Sequence, residues 1–285
     1  MNPSTPPQYS RKDIADAIVA RFDASTIEAA RNKFNRPQKT QWFAVDNLLP
    51  EEMAHVIRAS FPDPSQMFER KSLRERKHVT SQMDQHDPQG EEALFAFHDD
   101  RVVDIVQRIT ALSTLRADPK LYASGLSLMT RGNFLNPHLD NSHNSDRSEY
   151  RVLNLLYYAS PNWSERSGGH LELWPDGVKA APLTLHSLFN RFVVMTTGPD
   201  SWHSVCAVTS DQPRCCVSNY YFSPQPIGGV PYFRVTSFRG RPEQPLRDLL
   251  LRADARLRGG IRKLFPAGIF KSQHIYEPKN GSASK

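Results

Sequence analysis

The chain has 285 residues and a mass of 32.4 kDa, with 39% hydrophobic and 23% charged residues. This composition is ordinary for a folded globular protein and excludes a disordered or fibrous chain. The net charge of +6, from 36 basic and 30 acidic residues, is too mild to indicate a dedicated nucleic-acid-binding protein.

No segment of the sequence indicates export or membrane insertion. Residues 1–13 are polar and Pro-rich, and no stretch is apolar enough to cross a bilayer. The cysteines, Cys206, Cys215 and Cys216, are odd in number and two are adjacent, so they do not form a disulfide framework. We therefore expect a soluble cytoplasmic protein without a transmembrane segment. Its oligomeric state stays open.

Helical patterns dominate the first third of the chain. Ser10 and Asp13 form a capping-box pattern before apolar residues at helical spacing, which predicts a helix over 11–22. Residues 41–46 predict a short strand, and further helices are expected after Pro50 and after Asp99. The polar stretch over residues 69–90 predicts a mobile loop with a short strand near 78–81.

From Leu121 onward, the pattern changes to short strands rich in β-branched and aromatic residues, separated by Gly, Pro, Asn or Ser. Such strands without intervening helices predict a mainly β protein with flanking α-helices. The expected core is a double-stranded β-helix, a cupin-like jelly roll. The predicted parts are an N-terminal helical region over 1–115 with short strands that support the core, a double-stranded β-helix catalytic core over 116–240, and a C-terminal helix and tail over 241–285.

The C-terminal helix is expected after Pro245 and is expected to end at Gly259 and Gly260. Its leucines recur on one face and its arginines lie largely off that face, so we expect the apolar stripe to pack on the sheet. The stripe consists of Leu246, Leu249, Leu250, Ala253 and Leu257.

Two His-x-Asp patterns are present, and a single such pattern is weak support for a metal site. His98 and Asp100 begin a helical pattern, where an aspartate is more simply a cap. His138 and Asp140 instead end an extended segment, where residues i and i+2 project from the same strand face. One imidazole and one carboxylate would then reach a single ion.

His203 follows a turn-forming Gly-Pro-Asp sequence and is placed to supply a third ligand from an opposing strand. Two imidazoles and one carboxylate on one face of a metal form the facial triad of iron(II) oxygenases, which leaves coordination positions open. Arg214 lies on a following strand, and its guanidinium is suited to clasp a carboxylate with two hydrogen bonds. The residues therefore predict an iron(II) site beside an anchor for 2-oxoglutarate.

These motifs carry a resemblance to a known family. The segment from Leu121 to Ser223 resembles the Fe(II)/2-oxoglutarate-dependent prolyl hydroxylases of the hypoxia-sensing type and their bacterial relatives. The segments that resemble the family's conserved motifs are RGNFLNPHLDN, LLYYASPNW and SGGHLELWPDG. The resemblance implies that Tyr158 hydrogen-bonds the distal carboxylate of 2-oxoglutarate beside Arg214. Asn154 shares a strand face with Tyr158 and would line the same pocket.

The resemblance also implies the cofactors and the reaction. They are Fe(II), 2-oxoglutarate as co-substrate and O2, with ascorbate as an optional accessory. Hydroxylation of an unactivated C–H bond would release succinate and CO2. Asp140 argues against halogenation, because family members that halogenate carry a small residue in its place. The substrate would be a small molecule or a peptide: amino-acid-derived, peptidyl-prolyl or a biosynthetic intermediate.

Two other functions stay open at this stage. A zinc hydrolase could use the same three ligands and would need a general base. A non-catalytic jelly-roll binding module could retain the triad as a relic.

Other polar residues have simpler interpretations. His143, His170 and His186 are expected to be structural or superficial, and the adjacent cysteines are expected to be packing residues. The basic run is more simply a solvated face than a lid for an acidic substrate. It comprises Lys71, Arg74, Arg76 and Lys77.

Overall fold

The computed structural model describes residues 7–264 and 275–277, and for residues 261–264 it describes the backbone alone. Six α-helices and thirteen β-strands occur in these residues. The helices are α1 Arg11–Arg21, α2 Ala24–Phe34, α3 Glu51–Ala59, α4 Pro88–Ala96, α5 Asp100–Thr110 and α6 Pro245–Leu264. The strands are β1 Trp42–Val45, β2 Phe68–Lys71, β3 Glu75–Thr80, β4 Arg116–Ala117, β5 Gly125–Met129, β6 Phe134–Leu139, β7 Tyr150–Tyr158, β8 Leu171–Leu173, β9 Leu183–Leu185, β10 Arg191–Thr196, β11 His203–Val205, β12 Arg214–Ser223 and β13 Ser237–Phe238.

All thirteen strands belong to one antiparallel sheet, which curls into a half-barrel. Along the main path the order is β1-β10-β7-β12-β5-β3-β6-β11-β8-β9. The first wall consists of β1, β10, β7, β12 and β5, and the second wall consists of β6, β11, β8 and β9. Strand β3 joins the two walls. Strands β2, β4 and β13 pair with β3, β12 and β6 at the sides. The predicted double-stranded β-helix with flanking helices is confirmed, and β1 and β3 overlap the two short strands expected in the N-terminal region.

Successive side chains alternate between the two faces of the sheet, and this alternation produces two separate apolar layers. On the outer face of the first wall, Tyr157 and Phe192 join the helices in one large core, where the Phe97 and Phe192 rings stack at 5.3 Å. On the inner face, Tyr158 and Cys216 pack in a smaller cluster. Because successive strand residues point to opposite faces, a single strand both anchors the helices and lines the interior.

The polar stretch over 69–90 is ordered, contrary to the expectation of a mobile loop. Strands β2 and β3 form a hairpin, and the edge of β3 that faces away from β2 pairs with β6 at Glu75 and Arg76 and with β5 over residues 78–80. Helix α4 follows, and α2, which we did not predict, precedes β1. Of the two strands of the hairpin, β3 overlaps the strand expected near 78–81, whereas the polar side chains of β2 gave no strand signal.

The prediction for the C-terminal helix was wrong in two respects. Helix α6 continues through Gly259 and Gly260, because glycine weakens a helix without ending it unless the chain turns left-handed there. Four leucines of the expected packed stripe are exposed, whereas Leu251 is buried. The exposed leucines are Leu246, Leu249, Leu250 and Leu257.

Ion pairs hold α6 against the rest of the molecule. Arg239 binds Asp248 at 2.6 Å, and Arg74 of the β2–β3 hairpin binds Asp254. Among the helices that the structure describes, none combines the length and the hydrophobicity needed to traverse a bilayer.

Candidate metal centre and co-substrate pocket

His138, Asp140 and His203 come together at one point inside the half-barrel. Nε2 of His138 lies 3.6 Å from Oδ1 of Asp140, and Nε2 of His203 lies 3.7 Å from Oδ2. The two imidazole centroids are 4.1 Å apart, and all three side chains are buried. The three residues could hold a metal ion, because one ligand atom from each lies within 4.8 Å of the others.

Backbone carbonyls orient both imidazoles. Nδ1 of His138 donates to the carbonyl of Asn136 at 3.0 Å, and Nδ1 of His203 donates to the carbonyl of Ser201 at 2.9 Å. In each case the carbonyl belongs to the residue two positions earlier. With Nδ1 committed as the donor, each Nε2 keeps its lone pair and faces Asp140, which is the tautomer that metal binding needs.

The charges of the three side chains suit a divalent cation. Burial alone would raise the pKa of Asp140, but His138, His203 and Arg151 hold it well below its ordinary value. Burial, with His138 close by, lowers the pKa of His203 to about 4. Oδ2 of Asp140 is buried without a hydrogen-bond partner. Two imidazoles whose Nε2 atoms face an ionised carboxylate with an unused oxygen fit Fe(II).

Strand pairing explains why the two histidines meet. His138 on β6 lies directly opposite His203 on β11. On the other edge of β6, Phe238 of β13 is its partner, and the Phe238 and His138 rings stack at 5.0 Å. The register of three strands therefore fixes the position of one imidazole.

The reverse side of β11 is held by a buried polar network. Ser204 donates to Glu172 at 2.7 Å and accepts a hydrogen bond from Trp174 at 2.8 Å. Arg241 binds the same Glu172 oxygen at 2.6 Å. Since Ser204 follows His203 directly, this network restrains the strand that carries the histidine.

Arg214 is buried close to the triad without an anionic partner. Its nearest polar contacts are Ser187, whose hydroxyl accepts from Nε at 3.4 Å, and the Met129 sulfur, at 3.8 Å from Nη1. Among the residues that the structure describes, no carboxylate lies within ion-pair distance of it. A buried guanidinium without a counter-charge is costly, so this arrangement suits an incoming carboxylate.

Glycine at position 169 is what allows Arg214 to occupy this place. A Cβ on Gly169 would lie 2.8 Å from Cδ of Arg214, and the residue has a φ of +63°. The Gly-Gly pair seen in the sequence thus has a steric role beside the arginine.

Tyr158 and Asn154 lie on β7 near Arg214. The guanidinium of Arg214 is 4.9 Å from the centre of the Tyr158 ring. The Tyr158 hydroxyl makes no hydrogen bond within 3.5 Å among the described residues. Burial raises its pKa to about 12, and the nearby Arg214 and Ser187 side chains offset burial only in part. Asn154 donates to the Tyr220 hydroxyl at 3.4 Å while its own carbonyl oxygen is unpartnered. Both side chains therefore keep hydrogen-bonding capacity for a ligand.

Arg151 is a site residue that the sequence did not reveal. It is buried, its Nη1 lies 3.9 Å from Oδ1 of Asp140, and its guanidinium lies 3.9 Å from the centre of the Tyr220 ring. Simple alternation from Asn154 would place it on the opposite face of β7. The pairing with β12 shifts, however: Leu153 faces Tyr221 whereas Arg151 faces the next residue, so β7 carries a bulge that turns Arg151 inward.

The remaining polar residues lie where simple structural roles predict them. Asp99 caps α5, and His98 bonds to Asn219 at 2.9 Å. His170 accepts a hydrogen bond from the Ser187 backbone N–H, 3.1 Å away. Cys215 and Cys216 are buried on opposite faces of β12, and burial raises the pKa of each thiol to about 11.

The triad opens into a cavity of about 300 Å³. Arg214, Asn154 and Arg151 share its lining with the three candidate ligands. Its lining also includes partly exposed residues of the β2–β3 hairpin and of α6.

The sequence model of the 2OG-Fe(II) oxygenase superfamily matches residues 124–222. This part of the chain belongs to the 2OG-Fe(II) oxygenase superfamily. The chain is therefore a 2-oxoglutarate-dependent oxidoreductase, and its cofactors are Fe(II) and 2-oxoglutarate, used with O2. The sequence has no match among curated proteins.

Solved structures share the fold of this oxygenase. The carbocyclase SnoK of nogalamycin biosynthesis is 13% identical with a TM-score of 0.53, and the match covers 91% of this chain and 97% of SnoK. A Pseudomonas putida prolyl-4-hydroxylase is 14% identical with a TM-score of 0.51, covering 69% of this chain and 98% of that one. A Phytophthora capsici prolyl 4-hydroxylase is 15% identical with a TM-score of 0.51, covering 78% and 70%. Identities this low establish a common fold.

Proposed function

We propose that His138, Asp140 and His203 bind Fe(II) and that Arg214 and Tyr158 bind the distal carboxylate of 2-oxoglutarate, with Asn154 lining the same pocket. The observation that carries this proposal is a buried arginine without a counter-charge in the same cavity as the three candidate ligands. A dicarboxylate that reaches from the metal to Arg214 would supply the missing negative charge.

Each side chain has a defined task in this proposal. The two imidazoles and Asp140 hold the metal on one face, which leaves the other positions to the keto acid and O2. Arg214 orients the keto acid through a two-pronged contact, and Tyr158 adds one hydrogen bond. When bound, the metal and keto acid supply the oxidising chemistry, while the apolar wall around Leu156, Leu171 and Val205 limits the access of water.

The reaction that we propose is hydroxylation of an unactivated C–H bond, with release of succinate and CO2. Of the three solved structures described above, two are named prolyl 4-hydroxylases and one is named a carbocyclase. The fold therefore does not select the substrate, since chemistry resides in the site. An amino-acid-derived, peptidyl-prolyl or biosynthetic-intermediate substrate fits the proposal.

A zinc hydrolase is less well supported. Such an enzyme needs a carboxylate free to act as general base, and Glu75 is the only acidic residue besides Asp140 in the described cavity lining. Glu75 is bound to Arg70 at 3.3 Å and to Lys77 at 3.1 Å. It is therefore committed to ion pairs rather than to a water molecule.

The test is anaerobic addition of Fe(II) and 2-oxoglutarate, followed by a screen of candidate substrates for succinate release. We expect a weak visible charge-transfer band in the wild-type protein and its loss in His203→Ala. His55→Ala, on the exposed face of α3, is the matched control and should keep the band. An unchanged band and unchanged turnover in His203→Ala would refute the ligand assignment.

A further inference from the structure

The outer part of the cavity is lined by cationic side chains from two separate elements. Arg70, Arg74 and Lys77 come from the β2–β3 hairpin, and Arg258 comes from α6. We call these four residues the basic mouth. Two of them, Arg74 and Lys77, belong to the basic run for which a solvated face was the simpler expectation.

The hairpin is fixed directly to the strand that carries a candidate iron ligand. Asn136 donates its backbone N–H to the carbonyl of Arg74 at 2.9 Å, and its side-chain amide donates to the carbonyl of Leu73 at 3.0 Å. The carbonyl of Asn136 in turn holds the imidazole of His138. The position of the basic mouth is thus coupled to the position of the metal site by three hydrogen bonds.

The basic mouth carries more positive charge than its own carboxylates neutralise. Glu75 is shared between Arg70 and Lys77, and Asp254 is shared between Arg74 and Arg258. Among the residues that the structure describes, four cations therefore face two carboxylates, which leaves an excess of two positive charges. All four cationic side chains are partly buried, so water screens them less than it screens an open surface.

The co-substrate does not account for this excess. In the proposed function, one carboxylate of 2-oxoglutarate binds Arg214 and the other end binds the metal, deep in the cavity. The net charge of Fe(II), Asp140, Arg214, Arg151 and a doubly charged keto acid is +1, so the inner site has no spare negative charge to neutralise the basic mouth. The positive charge of the basic mouth therefore remains available to a second molecule.

We infer that the oxidised substrate is an organic anion, whose carboxylate or phosphate group binds the basic mouth while its reacting carbon faces the metal. This inference rests on the proposed function and adds the chemical class of the substrate. A carboxylate and a phosphate both suit arginine forks, and the cavity of about 300 Å³ restricts the part inside it to a small molecule or one side chain.

The test compares two double variants with equal loss of charge. Arg70→Gln/Arg258→Gln removes the excess but leaves each mouth carboxylate one cation, Lys77 for Glu75 and Arg74 for Asp254. Lys71→Gln/Arg76→Gln removes the same charge from the exposed outer face of the same hairpin. The probes are phenyl phosphate and phenylacetate, with phenol and phenylacetamide as their neutral counterparts.

Binding is measured by calorimetry under anaerobic conditions on full-length protein loaded with Fe(II) and saturating 2-oxoglutarate. We expect the anionic probes to bind more tightly than the neutral ones, and their Kd to rise at least about tenfold in Arg70→Gln/Arg258→Gln. The outer-face variant should bind them as the wild type does. Tighter binding of phenyl phosphate would assign a phosphate substrate, and tighter binding of phenylacetate would assign a carboxylate.

Equal affinity of an anionic probe in all three proteins would overturn the inference, since an anion held by the metal alone would behave in this way. Neutral probes that bind as tightly as the anionic ones would overturn it too. The charge-transfer band of the wild-type protein is recorded on the same samples. If the band is present but the Kd of the anionic probes does not depend on the mouth charges, the inference alone is refuted. If the band is absent, the proposed function is refuted.

Discussion

Nη1 of Arg151 lies 3.9 Å from Oδ1 of Asp140, and both side chains are buried in the metal cavity. Nη2 of Arg151 donates to the carbonyl of Tyr122 at 3.2 Å, and the guanidinium lies against the Tyr220 ring. These contacts fix the arginine, and the arginine in turn faces one oxygen of the candidate metal ligand.

Replacing Arg151 with lysine should therefore weaken metal binding. Arg151→Lys keeps the charge but loses the planar contacts that hold the group in place. We expect the affinity for Fe(II) to fall about tenfold, as is typical when a residue that orients a metal ligand is changed. Anaerobic Fe(II) titration measures it, with the exposed Arg131→Lys as control. Equal affinity would mean that other groups orient Asp140.

Gly169→Ala should impair the use of 2-oxoglutarate without removing the metal. The new Cβ would meet Cδ of Arg214 at 2.8 Å and displace the guanidinium. We expect KM for 2-oxoglutarate to rise about tenfold or more, while the affinity for Fe(II) is kept. Gly177→Ala is the matched control, because its φ is also positive, at +83°, but nothing lies within 4 Å of its Cβ. An equal rise in the control would point to backbone strain rather than to Arg214.

Tyr158→Phe should weaken binding of the keto acid by a single hydrogen bond. The hydroxyl is buried and has no partner in the described part of the chain, so its loss removes a contact to the ligand and little else. We expect Kd for 2-oxoglutarate to rise roughly tenfold, which corresponds to about 1.4 kcal/mol. Tyr157→Phe, whose hydroxyl donates to Asn190 on the other face of β7, should leave this Kd unchanged. A larger rise in Kd for Tyr157→Phe than for Tyr158→Phe would contradict the assignment of Tyr158 to the keto-acid pocket.

Glu172→Ala should destabilise the fold strongly. It removes the shared acceptor of Ser204 and Arg241 and leaves a largely buried guanidinium unpaired. Breaking a buried pair in this way costs about 3 kcal/mol. Urea unfolding of the apo-protein measures the effect. Asp211→Ala, which breaks the exposed pair with Arg131, should cost no more than about 0.5 kcal/mol. Similar values for both variants would show that the Glu172 network contributes little.

Glu75 predicts a dependence of stability on acid. Burial alone would raise its pKa, but Lys77 and Arg70 outweigh burial and lower the pKa from 4.5 to about 2. Because the pKa of Glu75 is lower in the folded than in the unfolded protein, its ionised carboxylate stabilises the fold above about pH 4.5. This contribution is lost as the pH falls from about 4.5 through 2. The full contribution is about 3 kcal/mol. In Glu75→Gln, the free energy of unfolding should change less between pH 5 and about 2 than in the wild type. If the free energy of unfolding depended on pH equally in Glu75→Gln and in the wild type, the lowered pKa of Glu75 would be contradicted.

The sequence determined the fold class and most of the candidate site. Short alternating strands after Leu121 indicated the jelly roll, and His138, Asp140 and Arg214 stood out because their residue types and strand positions imply specific ligand chemistry. Residue periodicity and side-chain chemistry are local properties, so they can be read along the chain. The meeting of His138 with His203 was a prediction of the same kind, from a turn and a following strand.

Where the alternation of side chains along a strand is interrupted, or where the sequence gives no strand signal, only the tertiary structure decided which residues face the cavity. The bulge in β7 turned Arg151 inward, and no alternation rule reveals a bulge before its partner strand is known. The β2–β3 hairpin is held in the sheet because β5 and β6 pair with β3, and this pairing places Arg74 and Lys77 of the basic run in the cavity lining. Helix α6 exposes its leucine stripe because ion pairs with Arg74 and Arg239 help fix which side of it meets the sheet. These outcomes depend on contacts between residues far apart in the chain, which composition and periodicity do not encode.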